Sequence, residues 1–128
     1  MRLLLDTAIL IYAVEAPERL SKRAAAALKA PQNIIELSAV SITEIAIKAS
    51  LGKLKLTAAM ARQAVQDLDI RILPYTGEHA LRLFDLPLHL QHCDPFDRQI
   101  IAQALSEKIP VVTPDEKFRL YGGLKIVW

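Results

Sequence analysis

A chain of 128 residues has room for one domain with a real core and little room for a second. With 52% hydrophobic and 23% charged residues, four glycines and seven prolines, its composition is that of a folded globular protein and excludes a disordered one. A single cysteine, Cys93, rules out an internal disulfide and agrees with a reducing, cytoplasmic setting, while a formal charge of +2 is too small to argue for a nucleic-acid partner by itself.

The N-terminus begins Met1-Arg-Leu-Leu-Leu and continues Ala8-Ile-Leu-Ile-Tyr-Ala-Val14, which superficially resembles a secretory leader. Asp6 interrupts that apolar run, and no uncharged stretch of about 18 residues exists anywhere, so no membrane span is expected. Arg2–Leu5 instead reads as a buried strand, with a helix beginning at Ala8–Val14. Leu20–Ala30 is an Ala-rich helix, Ile34–Val40 a second strand, and Ile42 to about Leu51 a helix that Gly52 can end. Thr57 is a fitting N-cap for a helix reaching about Asp69, and Arg71–Leu73 is a short strand. His79–Leu86 is helical, Pro87–Cys93 a loop, and Pro95 opens a helix that runs to Lys108. Val111–Thr113 is a strand, Glu116–Leu120 a helical turn and Lys125–Val127 a final strand. Short strands separated by helices imply right-handed crossovers. The expected fold over residues 1–128 is therefore one α/β domain, a three-layer sandwich with a largely parallel sheet.

In open parallel sheets ligands bind beyond the carboxyl ends of the strands, and the acids gather there. Asp6 follows the first strand, Glu44 lies in the first turn after the strand Ile34–Val40, and Asp115 comes two residues after Val111–Thr113. Asp94 and Asp97, three residues apart, open the helix leading to that strand and can point to one side of it. Each has a purely structural reading as well. Ser41-Ile-Thr-Glu44 is a capping-box sequence, and Glu44 can pair with Lys48 one turn on. Asp94 suits an N-cap before Pro95, Asp97 suits the positive end of a helix dipole, and Asp115 can cap the turn after Pro114. Asp6 is harder to explain that way, because an unpaired carboxylate between two apolar segments is costly. Converging carboxylates would repel by about 4 kcal/mol per close pair at an effective dielectric of about 20. A divalent cation removes that repulsion, and oxygen-only ligands favour Mg²⁺ or Mn²⁺ over zinc. Setting the pocket acids aside leaves a basic excess elsewhere, suited to a phosphate backbone.

Four segments, in this order, resemble the PIN domains of VapC-type toxins over the whole chain. They are Arg2-Leu-Leu-Leu-Asp-Thr7; Ser41-Ile-Thr-Glu-Ile-Ala-Ile-Lys48 with Gly52-Lys53-Leu54; His92-Cys-Asp-Pro-Phe-Asp-Arg98 running into Ile100-Ile-Ala-Gln-Ala104; and Val112-Thr-Pro-Asp115. The resemblance implies a parallel sheet of about five strands with helices on both faces. It implies an acidic quartet of Asp6, Glu44, Asp97 and Asp115 as catalytic, metal-holding residues, with Asp94 as an extra acid. It also places the Thr7 and Thr113 hydroxyls beside the metal or its waters. Where many relatives have Asn or His after the Asp-Thr pair, this chain has Ala8.

The implied activity is Mg²⁺- or Mn²⁺-dependent hydrolysis of single-stranded RNA to 5′-phosphate and 3′-hydroxyl ends. Asp6, Asp97 and Asp115 would hold the metal, and Glu44 would ligate it or orient a water. Arg98, Lys48 and Lys53 are candidates for RNA backbone contacts. The implied partners are RNA, a cognate antitoxin and a second copy of the chain. A stand-alone RNA-processing nuclease and a non-catalytic scaffold are the other roles such a domain can have.

Two further classes fit less well. A metal-free ribonuclease would use histidines as acid and base, and the chain has only His79, His89 and His92. His89, His92 and Cys93 share a loop and could form a zinc set, but the Asp-Pro-Phe-Asp match accounts for that loop. A signalling receiver domain would carry paired acids after its first strand and an aspartate after its third. Asp6 stands alone, and Ile70-Arg-Ile-Leu-Pro-Tyr75 has no acid after its strand.

Overall fold

The three leucines after Arg2 are buried from both sides, which makes the first strand the axis of the molecule. In the computed structural model, which describes residues 1–128, β1 (Arg2–Leu5) pairs in parallel with β2 (Ile34–Ser38) and with β4 (Val111–Val112). Leu5 sits in register with both Leu37 and Val112. β3 (Arg71–Leu73) extends the sheet beyond β2, and β5 (Ile126–Val127) extends it beyond β4. The order is β3-β2-β1-β4-β5 and every pairing is parallel. The chain thus winds one way from β1 and then returns to the other side of it. The turning point of this topology lies between β1 and β4, where such sheets open a crevice.

Side-chain alternation distributes the strands between two apolar layers. Leu3, Leu5, Ile35, Leu37 and Val112 face Ile9 and Leu10 of α1 (Thr7–Glu15), Ala24 of α2 (Lys22–Lys29) and Ile45 of α3 (Ala39–Ser50). Ala61, Ala64 and Val65 of α4 (Ala58–Asp67) complete that layer. Leu4 and Val111 face the other way, against Ile100, Ile101 and Ala104 of α6 (Pro95–Glu107), with α5 (Gly77–Arg82) beside it. Glu36 is a buried acid within β2. Arg2 neutralises it with two bonds of 2.9 and 3.1 Å and reaches Glu107 of α6 at 2.9 Å. The result is the expected α/β/α sandwich. No helix is long and apolar enough to cross a membrane.

The differences from the sequence reading lie at element ends, where short polar side chains compete for backbone groups. The second strand stops at Ser38, not Val40, because the Ser38 hydroxyl accepts from the Val40 amide and starts α3 at Ala39. Ser41 is therefore inside the helix and Glu44 closes no capping box. Ser21 caps α2 in the same way, so that helix begins at Lys22 and the preceding Pro17–Arg19 forms a 3-10 turn. α5 begins at Gly77 because Thr76 and His79 cap each other reciprocally, and a 3-10 turn, Leu83–Asp85, follows it. Thr113 lies just past the end of β4.

Because Leu5 is fully buried directly before Asp6, Leu5→Ala should cost ~2–5 kcal/mol in urea unfolding. A loss below about 1 kcal/mol would mean that β1 is not the packed axis of the core.

Candidate metal centre

Four separate backbone features bring the five acids to the crevice. Asp6 emerges from β1, fixed by its amide to the Val112 carbonyl at 2.9 Å. Asp115 follows β4 after Pro114. Glu44 comes from the second turn of α3, and the N-terminus of α6 supplies Asp94 and Asp97. These five acids, with Thr7, Ala8, Tyr12, Lys48 and Pro114 among their neighbours, line an open cleft of about 430 Å³. The whole expected quartet and the extra Asp94 lie together in it.

The polar contacts within the cleft hold the acids in place, and only Glu44 among them is paired with a cation. Asp6 is buried, and its Oδ2 accepts from the Thr113 hydroxyl at 2.7 Å. The same Thr113 oxygen accepts from the Asp115 amide at 3.0 Å, so one side chain ties two of the acids together. Glu44 is buried as well. Its Oε2 pairs with the Lys48 ammonium, and its Oε1 has no hydrogen-bond partner at all. Asp94 caps α6 by accepting from the Asp97 amide at 2.9 Å, and Asp115 caps its 3-10 turn by accepting from Lys117. Asp94 and Asp115 thus serve both readings at once, capping through one oxygen while lining the cleft.

Burial and crowding raise the proton affinity of two acids. Burial pushes Asp6 up to about 6; the Thr113 hydroxyl and Ala8 amide oppose that rise, while Glu44 and Asp115 add to it. Asp97 rises to about 8, chiefly by burial and then through Asp6, Asp94, Glu44 and Asp115. Lys48 is held above the ordinary lysine range, mostly by its bond to Glu44. One ammonium facing five carboxylates leaves the cleft strongly negative.

The donor set fits a hard divalent cation. Its ligand atoms are carboxylate oxygens on four independent elements, and the buried Glu44 Oε1 is an anionic acceptor with nothing to accept, a situation that ordinarily costs more than the ~1–3 kcal/mol of a neutral orphan. The donors that come within 4.8 Å of one another are those of His92, Asp97 and Asp115, and Asp6 and Glu44 line the same cleft.

Other candidate residues fall differently. The Thr7 hydroxyl donates to Ser41 at 2.9 Å, tying α1 to α3, and the Thr113 hydroxyl donates to Asp6. Lys48 does line the cleft. Lys53 and Arg98 do not, and Arg98 Nη1 donates to the Pro87 carbonyl at 2.9 Å and to the Tyr121 hydroxyl at 3.3 Å. The His89–His92–Cys93 set is not formed: Cys93 is exposed and its thiol turns to the carbonyls of His89 and Leu90. Sequence reasoning missed His92 as a neighbour of the quartet. Its Nε2 lies 3.1 Å from Asp97 Oδ2 and 3.9 Å from Asp115 Oδ2. The only sequence signal was its position five residues before Asp97, in a loop without periodicity.

The sequence model of the PIN domain family matches residues 3–124. No curated protein matches the chain in sequence. Among solved structures, the chain is similar to VapBC2 from Rickettsia felis bound to a DNA fragment from its promoter, with 19% identity and a TM-score of 0.74 over 98% of this chain and 97% of that one. It is similar to VapBC-5, a toxin–antitoxin system of Mycobacterium tuberculosis, with 22% identity and a TM-score of 0.62 over 98% and 97% of the two chains. The FitAcB complex from Neisseria gonorrhoeae matches at 20% identity and a TM-score of 0.59, over 97% and 95%. At these identities the likeness is one of fold.

The raised Asp97 carboxyl predicts how metal-free stability depends on pH. A carboxyl whose folded pKa exceeds its unfolded value keeps more protons in the native state, so stability falls as pH rises from about 3.8 to about 8. In EDTA, Asp97→Asn should flatten that decline, melting close to wild type at the acidic end and above it at the alkaline end. An Asp97→Asn protein that melts below wild type at every pH would assign Asp97 a structural role instead.

Proposed function

The chain belongs to the PIN domain family, and from that premise we propose that it is a Mg²⁺- or Mn²⁺-dependent endoribonuclease that hydrolyses single-stranded RNA as the toxin of a toxin–antitoxin pair. The observation that carries this reading is the unpartnered, buried Glu44 Oε1 in a cleft where Asp6 and Asp97 are also held above the carboxylate range. Asp6, Asp97, Asp115 and Glu44 would hold the ion. When bound, it would lower the pKa of a water and neutralise charge developing on the phosphoryl oxygens.

This chain's own groups set up the rest. Thr113 orients Asp6 and steadies Asp115. Lys48 keeps Glu44 Oε2 occupied and leaves Oε1 without a partner, and its ammonium would attract a phosphate entering the cleft. Asp94 stands at the exposed rim as a further acceptor beside Asp97. The cleft is open, as a polymeric substrate requires. Ala8 leaves the wall beside Asp6 without a polar group, so the base or ribose passing there would find only a methyl. Lys53 and Arg98 remain outside the lining and are not assigned to the substrate.

The antitoxin follows from the same charge. An arginine can fork onto two carboxylate oxygens, and a cleft with five acids and one lysine offers several such pairs. The VapBC-5 structure is that of a toxin–antitoxin system, which supports a partner protein here; a second copy of the chain and a cytoplasmic setting rest on the family resemblance alone.

Purified protein should cleave single-stranded RNA with Mg²⁺ or Mn²⁺, stop in EDTA and leave 3′-hydroxyl ends. Asp6→Asn or Glu44→Gln should lower the rate by at least roughly 100-fold. Cyclic 2′,3′-phosphate ends formed in EDTA would contradict the mechanism. The cognate complex, purified intact, should cleave the same RNA much more slowly than the free chain, and equal rates would rule out an antitoxin that occupies the cleft.

A further inference from the structure

His92 is a buried histidine outside the quartet, and both of its ring nitrogens are engaged. Its ring packs between Phe118 and Tyr121, with centroid distances of 5.5 Å to each, so its plane is fixed by neighbours and not by the cleft. Nδ1 lies 3.0 Å from the Tyr121 hydroxyl and Nε2 lies 3.1 Å from Asp97 Oδ2. A neutral imidazole has one donor and one acceptor nitrogen, so only two arrangements exist.

The neighbours of Tyr121 choose between them. A guanidinium can only donate, and Arg98 Nη1 donates to the Tyr121 oxygen at 3.3 Å while anchored to the Pro87 carbonyl at 2.9 Å. The Tyr121 proton has two acceptors within reach, the His92 carbonyl at 3.4 Å and His92 Nδ1 at 3.0 Å, and the shorter distance favours Nδ1. His92 must in turn carry its own proton on Nε2, facing the Asp97 carboxylate. Once Asp97 is ionised, the reverse arrangement would aim a lone pair at its carboxylate. We infer that His92 is a positioning residue, held as the Nε2–H tautomer by the chain Arg98 to Tyr121 to His92, which aims the Asp97 carboxylate into the cleft.

This inference rests on the proposed role of Asp97 as a metal ligand. It gives Arg98 a place at the far end of the chain in place of an RNA contact. It also separates His92 from the ligands, although His92, Asp97 and Asp115 bring their donor atoms within 4.8 Å of one another. A ligand needs a lone pair on Nε2, whereas a positioning residue needs a proton there, so the two roles demand opposite tautomers. Buried imidazole partners of this kind orient a ligating carboxylate and are typically felt in metal affinity.

Nitrogen NMR of histidine-labelled, metal-free protein at alkaline pH, with the pocket carboxylates ionised, reads the tautomer directly. The expected result is Nε2–H for His92 in wild type and a mixed population in Tyr121→Phe, which keeps the ring and removes the hydroxyl. Calorimetric Mn²⁺ titrations should show affinity about 10-fold weaker in Tyr121→Phe and about 10–100-fold weaker in His92→Leu. His92→Gln, whose amide can donate to Asp97, should recover part of that loss. An Nδ1–H tautomer in wild type overturns the inference, as does a Tyr121→Phe protein with wild-type tautomer and affinity. A wild type that shows Nε2–H yet binds no Mn²⁺ would uphold the hydrogen-bond chain and overturn the metal reading instead.

Discussion

The constraint on which the rest of the site depends is electrostatic: five carboxylates converge on one cleft whose lining offers a single ammonium. In water such groups would be screened and solvated. Here two of them, Asp6 and Glu44, are almost wholly removed from solvent. The protein meets this constraint without a matching set of cations. It supplies hydroxyls, amides, one lysine and one neutral imidazole, which hold the acids at fixed positions, and it leaves the cluster short of positive charge. A structure that merely needed buried acids would pair them, as this chain does at Glu36 with Arg2. Of the two buried glutamates, Glu36 has both oxygens bonded to an arginine, whereas Glu44 has one oxygen paired with Lys48 and the other without a partner.

The fold makes this crowding possible. Only a parallel sheet brings several strand ends to the same edge, and the reversal of winding about β1 opens that edge between β1 and β4. Asp6 and Thr113 are then neighbours because Leu5 and Val112 are in register, which explains how a 2.7 Å bond spans 107 residues of sequence. Packing of α3 and α6 over the same edge adds Glu44 and Asp97. The apolar layers on both faces hold β1 rigidly, so the positions of the acids follow from core packing more than from their own interactions.

Elements with strong patterns were legible in the chain. Arg2–Leu5 and Arg71–Leu73 were read with their observed bounds, and the five parallel strands and all six helices were expected. The ends of elements were less legible, since Ser38, Ser21 and Thr76 each act through a single side-chain bond that no periodicity announces. For the site, each acid could be named from its place after a strand or at a helix start, because topology alone sends those positions to the cleft. What each acid touches could not be read in this way. Thr7 and Thr113 differ in role only because Thr7 meets Ser41 from α3, whereas Thr113 meets Asp6. Arg98 turns toward Tyr121 because of a loop and a 3-10 turn that carry no pattern. His92 enters the site through that same irregular segment, so its place beside the acids has no signal in the sequence pattern.

The account therefore turns on whether the cleft takes up a divalent cation by displacing protons from its acids. With Asp97 raised to about 8 and Asp6 to about 6, binding near neutral pH should release on the order of one proton per ion. Calorimetric titration of Mn²⁺ into the metal-free protein, repeated in two buffers of different ionisation enthalpy, measures that number directly. Saturable binding with about one proton released is the predicted result. Absence of saturable binding, or binding that releases no protons and persists in Asp97→Asn, would contradict it.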